Sequence, residues 1–223
     1  MMNKTATILG ATGLIGSHVL EFLKKNSDYD EIRVVSRRPL SIDHPKVNVV
    51  VIDFSDMSQF EEAIKGSDVV FCAIGTTQKK VKGDNEKYKS IDYDIPVNAA
   101  TFCLKHNCEQ FLLVSSVGAD PSKKGFYLKL KGKVEEAIKS KVNEKTGFTS
   151  LSIFRPSLLL GNRSENRFGE GVMQFVGKAF KFLTPQNFKP IYGEEVAKSM
   201  VNAARNSKKG IAVYHYNEMK ELN

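Results

Sequence analysis

Glycine recurs at 10, 13 and 16, directly after a short apolar segment and directly before a stretch of helical periodicity. No other feature restricts the chain as strongly. A strand at residues 5–9 must turn sharply into a helix at 13–25, where Leu14, His18, Phe22 and Lys25 form one stripe beside Ile15, Val19 and Leu23. In such a turn the first glycine permits the tight bend. The second lets the backbone approach a pyrophosphate, and the third lets helix pack closely on strand. The helix start offers free N–H groups and the positive end of its dipole to phosphate. Thr12, Leu14 and Ile15 lie in the same turn and join the expected contact set.

A second strand, 31–36, ends in Ser36, Arg37 and Arg38. Sites that take NAD usually place a carboxylate there to accept from the ribose 2′-hydroxyl. This chain offers a hydroxyl and two guanidinium groups instead. They suit a 2′-phosphate through charge-assisted, bidentate bonds. NADP(H) is therefore the expected cofactor. Asp53 and Phe54, after the third strand, are expected at the adenine. Ala73, Gly75 and Thr76, after the fourth, are expected at the ribose and pyrophosphate.

Strand and helix alternate along the rest of the chain. Strands are expected at 47–52, 68–74, 110–116, 149–154 and 211–216. Helices are expected at 59–65, 84–106 with a bend near Pro96, 126–142, 168–182 and 194–206. Continuous apolar runs such as 68–74 suit strands buried on both faces. The alternation implies a Rossmann-like α/β fold: a doubly wound parallel sheet with helices on both faces and right-handed crossovers. A length of 223 residues fits one domain over 1–223. Residues 158–190 break the rhythm with Gly, Asn, Arg and Pro. They are expected to form a small substrate-side cap over the carboxyl edge, where such sheets bind ligands.

The formal charge of +8 is spread over separate lysine groups, without interleaved aromatics. Neither nucleic acid nor a membrane is an expected partner. No apolar run reaches membrane-spanning length, and the start lacks a leader pattern, so the expected location is the cytoplasm. Cys72, Cys103 and Cys108 form no CxxC and are expected to be reduced and structural. No residue is assigned to a metal.

Ser115 and Ser116 close the fifth expected strand, and Tyr127 and Lys131 follow on the next helix. Tyrosine and lysine four residues apart share one helical face. A neighbouring cation stabilises phenolate, so such a tyrosine can exchange a proton with a carbonyl or alcohol. The lysine can also hold the nicotinamide ribose, and a serine hydroxyl can orient the substrate oxygen. Tyr127, Lys131, Val134 and Ile138 form one stripe that should pack on the sheet. A lysine on such a face needs a partner.

Taken together and in order, the segments at 10–16, 36–38, 71–77, 113–120, 127–135 and 154–161 resemble the atypical, extended-like branch of the short-chain dehydrogenase/reductase superfamily. More narrowly, they resemble the HIV Tat-interacting oxidoreductase family and its bacterial relatives. The resemblance implies that Gly10, Gly13 and Gly16 bind pyrophosphate, that Arg37 meets the 2′-phosphate and that Arg38 lies near the adenine. It implies Ser116 as the catalytic serine with Ser115 as fallback, Tyr127 as acid/base and Lys131 as its partner. Pro156 to Leu158 would pass beside the nicotinamide, and family habit implies a homodimer. Two departures bear on the substrate. Asp92 stands where many superfamily members carry an asparagine that supports a proton relay. The substrate segment is also much shorter than in sugar-nucleotide enzymes. The expected function is an NADP(H)-dependent oxidoreductase acting on a small carbonyl or alcohol. The alternative is an NADP(H)-binding regulatory or redox-sensing protein with little turnover.

Overall fold

The computed structural model describes residues 4–142, 148–161, 186–207 and 209–223. Its strands are β1 (Thr5–Leu9), β2 (Glu31–Ser36), β3 (Val47–Val51), β4 (Val69–Cys72), β5 (Gln110–Val114), β6 (Ser150–Phe154), β7 (Leu159–Leu160), β8 (Ile191–Tyr192) and β9 (Gly210–Tyr214). The α-helices among the described residues are α1 (Leu14–Lys24), α2 (Met57–Ile64), α3 (Asn85–Lys89), α4 (Ile95–Lys105), α5 (Phe126–Lys139), α6 (Gly193–Arg205) and α7 (Tyr216–Glu221).

Seven strands form one parallel sheet in the order β3-β2-β1-β4-β5-β6-β9. Alternation along each strand feeds two cores. Ala6, Ile8, Val69, Phe71 and Leu112 pack with α1 and α6 on one face. Leu9, Val70, Cys72, Phe111 and Leu113 pack with α2, α4 and α5 on the other. Both faces are covered, which explains the unbroken apolar runs. The expected doubly wound Rossmann-like fold is the one observed.

The chain runs from β1 outward to β3, then returns across β1 to β4. That reversal leaves a crevice at the carboxyl ends of β1 and β4, where this topology binds ligands. Leu9 pairs with Val35 on one side and Cys72 on the other. The glycine turn and the 73–76 segment therefore leave the sheet side by side.

The expected helix at 84–106 is divided. Between α3 and α4 lies a π-helical turn, Ser90–Asp94, and Pro96 occupies the first turn of α4. Proline has no N–H to donate to the carbonyl four residues back, here Asp92, and its ring crowds that carbonyl. A wider turn just before it relieves both problems. The break thus lies a few residues before Pro96, and it places Asp92 at the crevice.

Several strands stop earlier than the apolar pattern suggested, because their last apolar residues leave the ladder to line the crevice. At the other end of the chain, Tyr216 opens α7 instead of closing a strand. Of the cap expected at 158–190, the flanks form the small parallel pair β7-β8. The helix expected at 168–182, and the cap residues Asn162, Arg163 and Arg167, which the sequence offers to an anionic substrate group, lie outside the described residues.

Candidate functional site: a groove at the sheet's carboxyl edge

Gly10 has φ +91°, and its carbonyl accepts the Gly13 N–H at 2.9 Å. A Cβ at Gly10 would lie 2.7 Å from the Ala73 carbonyl oxygen. One at Gly16 would lie 2.1 Å from the Gly10 carbonyl oxygen. Neither position admits a side chain, so the turn is built for close backbone approach. Gly13 caps α1 without a side-chain bond. The N–H groups of that first turn are left for an outside acceptor, as a pyrophosphate site requires.

Two adjoining cavities follow the edge. The first, about 150 Å³, is lined by Gly10, Thr12, Gly13, Ser36, Arg37, Phe54 and Lys80, among others. The second, about 460 Å³, is lined by Gly13, Leu14, Ile15, Ser116, Tyr127, Lys131 and Leu158, among others. Gly13, Ala73, Ile74, Gly75 and Thr76 belong to both walls. The result is one groove running from the end of β2 to α5. Gly16, Arg38, Asp53 and Pro156 lie outside both linings. Gly16 packs behind the turn. The Arg38 N–H donates to Ser36 Oγ at 3.3 Å. Asp53 accepts the Ser55 N–H at 2.9 Å, and that local bond lowers its pKa. The Pro156 carbonyl accepts from Val117 N–H at 3.0 Å, behind the wall that Ser157 and Leu158 form.

The partner that Lys131 needs is Asp92. Lys131 Nζ lies 3.0 Å from Asp92 Oδ1, with side chains 6% and 1% exposed. The other carboxylate oxygen, Oδ2, accepts the Thr76 N–H at 2.7 Å. Burial works against the Lys131 ammonium, but the Asp92 carboxylate outweighs it and holds the pKa above the usual lysine value. Tyr88, buried beside them, donates its hydroxyl to the Thr76 carbonyl at 3.2 Å. Burial first, and Asp92 second, raise the Tyr88 pKa, so it stays a neutral donor. Tyr127 is 42% exposed and lines the second cavity.

The two serines have different surroundings. Ser115 is buried and donates to Glu135 Oε1 at 2.6 Å. Glu135 in turn accepts two bonds from Arg155, at 2.9 and 2.5 Å, and one from Lys139 at 3.2 Å. Burial raises the Glu135 pKa, but the bonds from Arg155 and Ser115 overcome it and hold the carboxyl below its usual range. Ser115 is thus tied into a structural network, whereas among the described residues the Ser116 hydroxyl makes only a long contact, 3.4 Å, to the Val117 carbonyl.

Sequence reasoning did not connect Asp92 with Lys131, although both were singled out. It passed over Glu135, Tyr88 and Lys80. Glu135 carried a usable signal: like Lys131, it is a charge on the buried side of α5. Lys80 carried none, because a lysine in a lysine-rich loop reads as solvated surface.

A family model described as NAD(P)H-binding matches residues 10–153. Protein HTATIP2 of Rattus norvegicus is 35% identical over 173 residues, covering 76% of this chain and 69% of its own. The mitochondrial protein FMP52-1 of Scheffersomyces stipitis is 33% identical over 231 residues, covering 98% of both chains. Among solved structures, a UDP-N-acetylglucosamine 4-epimerase from Methanobrevibacter ruminantium aligns with TM-score 0.72 at 19% identity, over 96% of this chain and 77% of that one. MoeE5 in complex with UDP-glucuronic acid and NAD aligns with TM-score 0.73 at 17% identity, over 99% and 82%. These structures share the fold. The comparisons overturn the expected cytoplasmic location, because several FMP52 relatives are named as mitochondrial proteins. Charge pattern and apolar run length bear on membrane crossing, and they do not specify a compartment. With its glycine turn, its groove and these relatives, the chain belongs to the NAD(P)H-binding family that includes HTATIP2 and FMP52.

Proposed function

We propose that this protein is an NADP(H)-dependent oxidoreductase that reduces or oxidises a small carbonyl or alcohol. One observation carries the proposal. A single groove has Ser36 and Arg37 in the wall at one end and Ser116, Tyr127 and Lys131 at the other, with the glycine turn between them. The dinucleotide fits the residues present: the Gly10 and Gly16 approaches exclude side chains, and Gly13 leaves the α1 start uncapped. Arg37 and Ser36 would hold the 2′-phosphate, and Phe54 would lie against the adenine. Lys131 would hold the nicotinamide ribose, with Leu14, Ile15 and Leu158 against the ring. When bound, the nicotinamide supplies or accepts the hydride.

The chain's own residues handle the proton. Ser116 orients the substrate oxygen by hydrogen bonding. Tyr127 gives its hydroxyl proton to that oxygen in reduction and takes one back in oxidation. Lys131 lies one turn further along α5, in the same wall of the groove. The proposal carries with it a single domain with a cap at 158–190, a small-molecule substrate, neither nucleic acid nor membrane as partner, and a homodimer.

Two measurements test it. Arg37→Ala is expected to weaken NADPH binding about 10- to 100-fold, the worth of one or two charge-assisted hydrogen bonds. NADH affinity should stay as it was. Equal affinity of the wild type for both cofactors, unchanged by the substitution, defeats the cofactor choice. In a panel of aldehydes and ketones, NADPH oxidation should be lost in Tyr127→Phe. Binding without any Tyr127-dependent turnover defeats the enzyme and leaves the regulatory dinucleotide-binding protein.

A further inference from the structure

Asp92 has two duties for one carboxylate. Its Oδ1 pairs with Lys131 on α5, and its Oδ2 holds the Thr76 N–H, in a segment that lines both cavities. It is 1% exposed and sits in the π-helical turn before Pro96. Tyr88 holds the same residue on its other side, through the Thr76 carbonyl of the next peptide unit. A Cβ at Gly75 would lie 3.7 Å from Asp92 Oδ1, so the carboxylate also abuts that residue.

We propose that Asp92 is a positioning residue: it fixes Lys131 in place as a buried ammonium and locks the Gly75–Thr76 wall to the same point. An asparagine could keep the Thr76 bond by its amide oxygen. It would leave the ammonium buried without a counter-charge, and burial would then drive the lysine toward the neutral amine. Among the described residues, the charged and titratable groups around the ammonium are Asp92 from the π turn, Tyr127 one turn back on α5 and Cys72 from β4. Burial pushes the Cys72 thiol up to about 12, so it is neutral across the working range. Asp92 therefore contributes most to keeping Lys131 charged, with Tyr127 second.

The test uses the full chain labelled with ¹⁵N-lysine, and Lys131→Arg to assign the Lys131 Nζ signal. In the wild type that signal should remain an ammonium above the pH at which surface lysines titrate, about 10.4. Titration below the surface lysines overturns the proposal without any change at Asp92. In Asp92→Asn the same signal should titrate at least about one unit lower than in the wild type. An unchanged titration in the folded variant also overturns it.

A second arm separates the two duties. Asp92→Asn should bind NADPH more weakly than wild type through its altered Lys131, and Asp92→Ala, which also loses the Thr76 bond, should bind about tenfold more weakly still. Equal affinities in the two variants overturn the wall-locking half. A third arm rests on the oxidoreductase reading. Turnover in Asp92→Asn should fall as pH rises through the lowered Lys131 titration and recover on the acid side, where wild-type activity shows no such break. A loss of equal size at every pH marks a merely structural role and overturns the proposal. If the wild type turns nothing over, the enzyme reading fails, while the Nζ titration still decides the role of Asp92.

Discussion

Glu135→Ala is expected to destabilise the protein by about 3 kcal/mol, near the low end for removing one partner of a buried ion pair. For a chain of 223 residues that corresponds to a melting point lower by about 6–12 °C. The low end applies because Arg155, the main partner, is 21% exposed and can recover water once the carboxylate is gone. Ser115 cannot, since it is buried and its hydroxyl points at Glu135. Chemical denaturation checks the size, and pH checks the cause. The folded-state pKa of Glu135 lies below its usual value. A group of that kind contributes its full stability above its unfolded pKa, about 4.3, and loses it as pH falls through the lowered folded value. The gap between wild type and Glu135→Gln should therefore be widest near neutrality and shrink below about pH 4. A gap that stays constant on acidification would mean that Glu135 contributes packing and not charge. The network also joins β5 to β6 beneath the groove, because Ser115 precedes Ser116 and Arg155 precedes the Ser157–Leu158 wall. Loss of Glu135 should thus weaken NADPH binding as well.

The fold was legible because its signals are local. Glycine spacing, period-two burial and strand–helix alternation each depend on a few consecutive residues. Together they specified the parallel sheet and the glycine turn at its carboxyl edge. The identity of the groove followed, since topology fixes which loops leave the carboxyl edge. What escaped depends on residues distant in sequence. Asp92 and Lys131 lie on different helical segments, and their meeting requires the π turn that Pro96 imposes. Glu135 and Arg155 meet only once α5 and β6 are packed. Ser115 and Ser116 are indistinguishable by type, and the buried carboxylate beneath one of them separates their roles. Lys80 reaches the groove through a loop whose path no periodicity describes. The compartment was misread for another reason. Sorting is not a property of the packed interior, and relatives 33% and 37% identical to this chain are named as mitochondrial.

Gly132→Ala is expected to lower both stability and Tyr127-dependent turnover, against the usual sign of that exchange. Inside a helix, alanine is ordinarily favoured over glycine by about 1 kcal/mol. Gly132 is inside α5, one residue after Lys131. A Cβ there would lie 2.3 Å from both the Asp120 carbonyl carbon and the Pro121 nitrogen. These are backbone atoms and cannot rotate aside as a side-chain tip could. The Asp120 N–H already donates to the Leu128 carbonyl at 3.2 Å, so loop and helix are joined on that side. Relief requires α5 to move off the loop, and forced shifts of this kind cost about 1–3 kcal/mol. The clash exceeds the propensity gain, and the net change is destabilising. Function should suffer more than stability. Tyr127 and Lys131 ride on α5, whereas Ser116 and Asp92 sit on elements that stay behind. Gly125→Ala is the control, since a Cβ there meets nothing within 4 Å. It should leave melting and turnover near wild type. A Gly132→Ala protein that melts higher than wild type, or keeps full turnover, would show that α5 can shift without disturbing the catalytic set. A rigid coupling between the Asp120–Pro121 loop and the Lys131–Asp92 pair would then be ruled out.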